Sequence, residues 1–202
     1  MSERKPQAAP KSPGPSRLKD SEFTLHGRNA CLSAFAARPG DLLRMFFHSD
    51  RAREVSHIKK WCADHRLPYR KLEDADLRRV SGTVHHEGIV LVLRPPVLRS
   101  AYDLLDQGLG AGEFLVALDR VENTHNLGAL LRTAAYFGAA GGLLSREPGQ
   151  AGLAPSAART AEGALERLPL YTCADLASLL RELKTRGVFI LGASPDAADS
   201  LY

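Results

Sequence analysis

The sequence predicts an α/β protein of two small domains, and three observations lead to that prediction. Short apolar runs typical of buried strands alternate with segments whose apolar residues recur at helical spacing. In the C-terminal half most strands are followed by a helix, which favours right-handed crossovers and a mostly parallel sheet. Residues 97–112, which contain a Gly-rich run, are predicted to be a linker between the two halves.

Charge is distributed unevenly along the chain. Residues 1–20 contain four prolines and almost no large apolar side chains, so we expect a disordered basic tail there. Residues 21–100 carry a net charge of +5, whereas residues 101–202 carry a net charge of −4. A basic front half indicates a polyanionic partner, although an ordinary solvated surface would give the same composition.

Residues 22–96 are predicted to form a compact α/β domain. Val55, Ile58, Trp61 and Cys62 lie on one face of a helix that ends near His65. The remaining signals predict further helices at residues 29–37 and 74–80, and strands at residues 42–48, 67–72 and 88–93.

Residues 113–202 are predicted to form the second domain. We expect strands at residues 114–118, 140–144, 168–171 and 188–191, and helices at residues 127–137 and 176–184. On the first of these helices, Leu127, Leu131 and Ala134 form the predicted buried stripe. Gly128 lies on a different face and costs about 1 kcal/mol relative to alanine, so we expect a backbone or a partner subunit to pack closely there.

The loop at residues 119–126 is the predicted position of the chemistry, because ligands bind beyond the carboxyl ends of parallel strands. It contains Asn123, His125 and Asn126 instead of the glycines of a dinucleotide site. The Gly-rich run at residues 108–112 precedes a strand, so it does not fit a nucleotide-binding loop. Arg132 offers a donor fork suited to a phosphate or a developing oxyanion, but a surface arginine paired with a nearby acid is the alternative.

Four segments resemble the SpoU/TrmH family of RNA ribose 2′-O-methyltransferases. Residues 118–138 resemble the first signature motif of the family, with Asn-x-Gly, Arg-Thr-Ala and Phe-Gly in order. Residues 156–164 resemble a second catalytic-domain stretch, and residues 25–30 and 85–90 resemble the start and end of the preceding substrate-binding domain. The sequences of the four segments, in that order, are LDRVENTHNLGALLRTAAYFG, SAARTAEGA, LHGRNA and HHEGIV.

The resemblance implies a fold and an activity. The N-terminal domain would have a fold like that of a kink-turn-binding ribosomal protein, followed by an incomplete α/β-knot (SPOUT) domain with a parallel sheet. The implied reaction is methyl transfer from S-adenosylmethionine to a ribose 2′-hydroxyl of tRNA or rRNA by a homodimer. Arg132 would stabilise the reacting oxygen and hold the adjacent phosphate, Asn126 would organise the site, and Glu122 would orient Arg132. A helix cap and a surface charge are the structural alternatives for Asn126 and Glu122.

Two later family motifs, which build the knotted cofactor site, are not found in this sequence. Gly192, Ala193 and Ser194 would form only the first edge of the adenosine pocket. We therefore expect a C-terminally truncated chain that is inactive by itself. The alternatives are a natural RNA-binding product without catalytic activity, and an unrelated α/β protein in which Arg132 and Asn126 are structural.

The remaining features indicate a cytoplasmic protein without a metal or a membrane span. The three cysteines are far apart and fit neither a disulfide framework nor a zinc pattern, so buried thiols are expected. No apolar run reaches the roughly 18 residues that a membrane span requires. His125 is interpreted as a loop residue. The adjacent His85 and His86 would point to opposite sides of an extended segment, with a role in contacting RNA as the alternative.

Overall fold

The structure is a computed structural model that describes residues 22–194. The chain divides between Pro96 and Val97 into two compact units. The tail expected at residues 1–20 lies outside the described residues, so its disorder stays a prediction. Within the described part of the chain, no helix is long and apolar enough to cross a membrane.

The first unit is a four-stranded mixed sheet with three helices. The helices are α1 (Arg28–Ala37), α2 (Ser56–Asp64) and α3 (Asp74–Ser81), and the strands are β1 (Phe23–His26), β2 (Leu42–Phe47), β3 (Tyr69–Lys71) and β4 (Ile89–Leu93). The strand order is β1-β4-β2-β3, with β4 antiparallel to both neighbours and β3 parallel to β2. The central β4 is buried along its whole length, as its unbroken apolar sequence predicts.

The second unit is a parallel sheet covered by helices on both faces. Its strands are β5 (Arg99–Ser100), β6 (Leu115–Leu118), β7 (Gly141–Ser145) and β8 (Leu170–Cys173), and its helices are α4 (Tyr102–Gln107), α5 (Thr124–Tyr136), α6 (Pro155–Thr160) and α7 (Leu176–Thr185). The strand order is β5-β8-β7-β6, and all neighbours are parallel. One apolar cluster contains residues of α4 and α7, and the other contains residues of α5 and α6. The predicted α/β class and parallel sheet are thus confirmed, whereas the knot stays a prediction.

Residues 97–112 are more ordered than the predicted linker. They contain β5, which pairs with β8, and α4, whose Leu104 and Leu105 belong to the apolar core of the second unit. A two-residue strand and a six-residue helix are too short to show a periodic pattern. The sequence therefore predicted a linker where tertiary packing forms two elements.

Residues 188–191 do not form the predicted strand. Val188 and Ile190 pack against the core, whereas Phe189 and Leu191 are exposed, so the side chains alternate as they would in a strand. Within residues 22–194, however, no neighbouring strand pairs with this segment. A β-strand requires backbone hydrogen bonds to a neighbouring strand, and an alternating apolar pattern does not by itself provide that neighbour.

Candidate functional site

Asn123 caps the N-terminus of α5, the helix that follows strand β6 and its loop. The side-chain Oδ1 of Asn123 accepts hydrogen bonds from the backbone N–H groups of His125 (2.8 Å) and Asn126 (3.3 Å). The predicted helix start at Leu127 is therefore three residues late, and the capping role considered for Asn126 belongs to Asn123. Asn126 lies in the first helical turn.

The loops that follow β6 and β7 are joined to each other at the carboxyl edge of the sheet. The N–H of Val121 donates to Oε1 of Gln150 (3.1 Å), and the N–H of Ala151 donates to the carbonyl oxygen of Val121 (2.9 Å). Arg120 places its Nη2 3.7 Å from Oε2 of Glu147. These contacts fix the loop that leads into α5.

Close packing against α6 explains the glycine at position 128. A Cβ atom on Gly128 would lie 2.4 Å from the carbonyl oxygen of Ala157 and 2.8 Å from Cβ of Thr160. The expected close neighbour is thus confirmed as backbone of this same chain. His125 adds a polar contact between the two helices, since its Nδ1 lies 3.1 Å from Oγ1 of Thr160.

Arg132 lies one helical turn beyond Gly128 and is half exposed. The predicted stripe of Leu127, Leu131 and Ala134 is buried and anchors the helix. The Nη1 atom of Arg132 lies 3.4 Å from Oε1 of Glu162, and the two side chains are 50% and 52% exposed. Within the part of the chain that the structure describes, this is the ion pair that Arg132 forms. Among the described residues, no other partner of its guanidinium is seen.

The structure does not place Glu122 in its expected position beside Arg132. Glu122 is exposed, and its Oε1 lies 3.4 Å from the point where a Cβ on Gly149 would be. The acid that accompanies Arg132 is Glu162, which sequence reasoning missed because it follows α6, thirty residues away along the chain. No spacing rule connects the two positions.

Asn126 and Arg132 do not converge on one point of the second unit. Six residues of α-helix separate them, which corresponds to a rotation of about 120° and a rise of about 9 Å. Asn126 is exposed on a face shared with Leu130 and Phe137, which are also exposed. The described residues alone therefore do not bring the two predicted functional side chains together.

The residues predicted to contact the cofactor are exposed. Gly192, Ala193 and Ser194 lie outside regular secondary structure, and all three are on the surface. A cleft of about 740 Å³ in the second unit is lined by residues of α4, β6 and α7 and by residues 108–114 and 186–191. Its lining combines apolar side chains with the charged groups of Glu113 and Arg186. Gly192, Ala193 and Ser194 are not part of the lining of this cleft.

The two adjacent histidines of the first unit point in opposite directions, as predicted. His85 is exposed, whereas His86 is buried and its Nε2 lies 3.1 Å from Oδ1 of Asp74. The Nδ1 of His86 accepts a hydrogen bond from the N–H of Gly88 (3.1 Å). These contacts give His86 a structural role. Among the described residues, no group of three or more His, Cys, Asp or Glu could hold a metal ion.

The chain combines a mixed-sheet domain with a following parallel-sheet domain. In the second domain, a surface arginine lies on α5, the helix that follows strand β6. Residues 24–97 match the family model "RNA 2'-O ribose methyltransferase substrate binding", and residues 113–202 match the "SpoU rRNA Methylase family" model. The chain belongs to the SpoU methylase family.

Individual relatives agree with this assignment. The chain is 32% identical over 181 residues to the 23S rRNA (guanosine-2'-O-)-methyltransferase RlmB of Burkholderia sp, covering 88% of this chain and 72% of that protein. It is 28% identical over 188 residues to the uncharacterized tRNA/rRNA methyltransferase YfiF of Escherichia coli O157:H7, covering 92% and 53%. The chain thus spans about half the length of some curated relatives that it matches.

Solved structures support the fold. The crystal structure of an AdoMet-bound rRNA methyltransferase from Sinorhizobium meliloti superimposes with a TM-score of 0.66 at 19% identity, covering 83% of this chain and 60% of that one. The SpoU methyltransferase AviRb from Streptomyces viridochromogenes, in complex with AdoMet, has a TM-score of 0.59 at 19% identity and covers 86% and 62%. At these identities the likeness establishes the fold alone.

Proposed function

We propose that this chain is part of an S-adenosylmethionine-dependent RNA ribose 2′-O-methyltransferase that acts on tRNA or rRNA. The observation that carries the proposal is the match of both units, in the same order, to the substrate-binding and methylase models of one family. The net charge of +5 on residues 21–100 supports RNA as the partner of the first unit.

In this proposal Arg132 contacts the RNA at the reacting sugar. A ribose hydroxyl becomes partly negative as it loses its proton, and a fixed guanidinium stabilises that charge. Arginine does not act as a base here, because its guanidinium remains protonated in proteins. The half-exposed donor fork of Arg132 can also hold the neighbouring phosphate.

Asn126 organises the site in this proposal, but it faces away from Arg132 on the same helix. The two side chains could therefore act at one site only if a second copy of the chain, in a homodimer, supplied one of them. Leu130, Tyr136 and Phe137 on or next to α5 are 41%, 84% and 69% exposed, and an apolar surface of this kind suits a contact between copies. Sedimentation should show a dimer that Phe137→Glu weakens, and a monomer at all concentrations would argue against this part.

The test of the proposed function is methyl transfer from labelled S-adenosylmethionine to total tRNA and total rRNA. The 202-residue chain is compared with a version that extends to the stop codon of its gene. Because the chain spans about half the length of some of its relatives, we expect the longer version to transfer methyl groups and the 202-residue chain to bind RNA only. A methylated ribose is recognised by a phosphodiester linkage that resists alkaline hydrolysis.

Arg132→Ala in the longer version should reduce the rate of transfer by about 100-fold, as expected for loss of a group that stabilises the transition state. Arg181→Ala is the matched control, since Arg181 is an exposed arginine of α7 in the same unit. Undiminished transfer by Arg132→Ala would contradict the assigned role. RNA binding by the longer version without any transfer would instead support the alternative of a non-catalytic RNA-binding protein.

A further inference from the structure

Arg132 has a counter-ion that the proposed function does not use. Nη1 of Arg132 and Oε1 of Glu162 are 3.4 Å apart, and both side chains are about half exposed. The guanidinium and the carboxylate do not form a hydrogen bond in the described structure. It is therefore an electrostatic contact that solvent and ions can compete for.

Glu162 reaches this position through a strained backbone. Its φ is +49°, in the left-handed region, and the φ of the following Gly163 is +91°. Residues with a Cβ atom adopt this region at a free-energy cost, and Gly and Asn adopt it most easily. The turn thus holds a glutamate where local backbone preference favours Gly, Asn or Asp, and such strain is concentrated at functional sites.

The packing of α5 against α6 fixes this turn relative to Arg132. Gly128 admits the backbone of Ala157 to close contact. Oγ of Ser156 donates to Oγ1 of Thr124 (3.0 Å), which joins the first turns of the two helices. Because Glu162 comes two residues after the end of α6, its carboxylate stays near Arg132 as a consequence of the fold.

We propose that Glu162 competes with the RNA phosphate for Arg132 and thereby sets the affinity for RNA. In the free protein the carboxylate occupies part of the donor fork, and a phosphate must displace it. The carboxylate also repels the phosphate once it is bound, so both effects weaken RNA binding. The inference rests on the proposed function, in which Arg132 meets a phosphate.

The test is a double-mutant cycle in RNA affinity with the 202-residue chain. Fluorescence anisotropy at fixed salt gives the Kd for labelled unfractionated tRNA and, separately, for total rRNA. Exposed ion pairs are worth up to about 1 kcal/mol, so Glu162→Gln should tighten binding by about two- to fivefold. In an Arg132→Gln background the same substitution should have little effect, because the pair is already broken.

Two further variants serve as controls. One tests whether backbone strain at position 162 affects binding, and the other tests the effect of the net charge of the protein. Glu162→Asn removes the charge with a residue that tolerates the left-handed region, and it should tighten binding as Glu162→Gln does. Glu182→Gln removes a charge from the partly exposed pair between Glu182 of α7 and Arg186, which follows that helix (2.9 Å), and it should change the Kd much less. Circular dichroism verifies that each variant is folded.

The outcomes distinguish the two proposals. If Arg132→Gln weakens RNA binding but Glu162→Gln and Glu162→Asn leave it unchanged or weaker, the competition is refuted and the proposed function stands. Equal tightening in the wild-type and Arg132→Gln backgrounds also refutes it, since the effect would then be long-range. If Arg132→Gln binds both RNAs as tightly as the wild type, the role proposed for Arg132 fails and the inference fails with it.

Discussion

The substitution Gly128→Ala tests whether contact between α5 and α6 explains the glycine. In an unobstructed helix this change would stabilise the protein by about 1 kcal/mol, because alanine has the higher helix propensity. Here the added Cβ would lie 2.4 Å from the carbonyl oxygen of Ala157 and 2.8 Å from Cβ of Thr160. A backbone carbonyl cannot rotate away, so the two helices must move apart.

The expected net effect is destabilisation. Overpacking in a close-packed interior costs about 1 to 3 kcal/mol, and here it acts against a short helix of six residues. After the gain in helix propensity of about 1 kcal/mol is subtracted, we expect Gly128→Ala to lower the free energy of unfolding of the second unit by about 1 kcal/mol.

The assay is urea unfolding followed by far-UV circular dichroism. The only tryptophan, Trp61, lies in the first unit, so its fluorescence follows the unfolding of that unit separately. Gly152→Ala is the matched control, since a Cβ there meets nothing within 4 Å. A Gly128→Ala protein as stable as the wild type, or more stable, would show that the contact does not explain the glycine.

The remaining predictions concern caps and thiols. Asn123→Ala should destabilise the second unit by about 1 kcal/mol in the same assay, whereas Asn123→Asp, which retains an acceptor oxygen, should not. Hydrogen bonds from the hydroxyl and N–H of Ser178 lower the pKa of Asp175 below its ordinary value. Its stabilising contribution is therefore complete above pH 3.8 and lost as the pH falls through the lowered pKa, so the stability difference between wild type and Asp175→Asn should shrink in acid. Burial raises the pKa of the thiols of Cys31, Cys62 and Cys173. These thiols should therefore resist a thiol reagent at pH 8 in the folded protein and react only in urea.

Periodic elements were predictable because their apolar patterns are set locally. The run IVLVL gave β4, and the buried positions Ile58 and Cys62 of α2 followed from helical spacing. β1 was missed because FTLH is too short to distinguish from a loop. α6 was missed in a Gly/Pro/Ser-rich stretch, although Pro155 at its first position was an available start signal.

The site was predictable only in part, for a physical reason. A helix fixes which of its own residues share a face, so the grouping of Gly128 and Arg132 and the need for a close neighbour could be derived from spacing. The partner of Arg132 depends on how α6 packs, which no local pattern encodes. The role of Glu122 was carried over from the resemblance to the family, whereas the acid beside Arg132 in the structure is Glu162, which packing brings close in space.

The contact at Gly128 and the charge at Glu162 are linked through the position of α6. A Cβ at position 128 must move α6 away from α5 by up to about 1 Å, because ordinary contacts begin near 3.4 Å and this one would be 2.4 Å. The turn that follows α6 moves with it, and the 3.4 Å separation between Arg132 and Glu162 lengthens. Gly128→Ala should then tighten RNA binding in the same direction as Glu162→Gln, although residue 128 contacts neither charge. Weaker binding by a folded Gly128→Ala protein would show that the α5–α6 spacing does not control this pair.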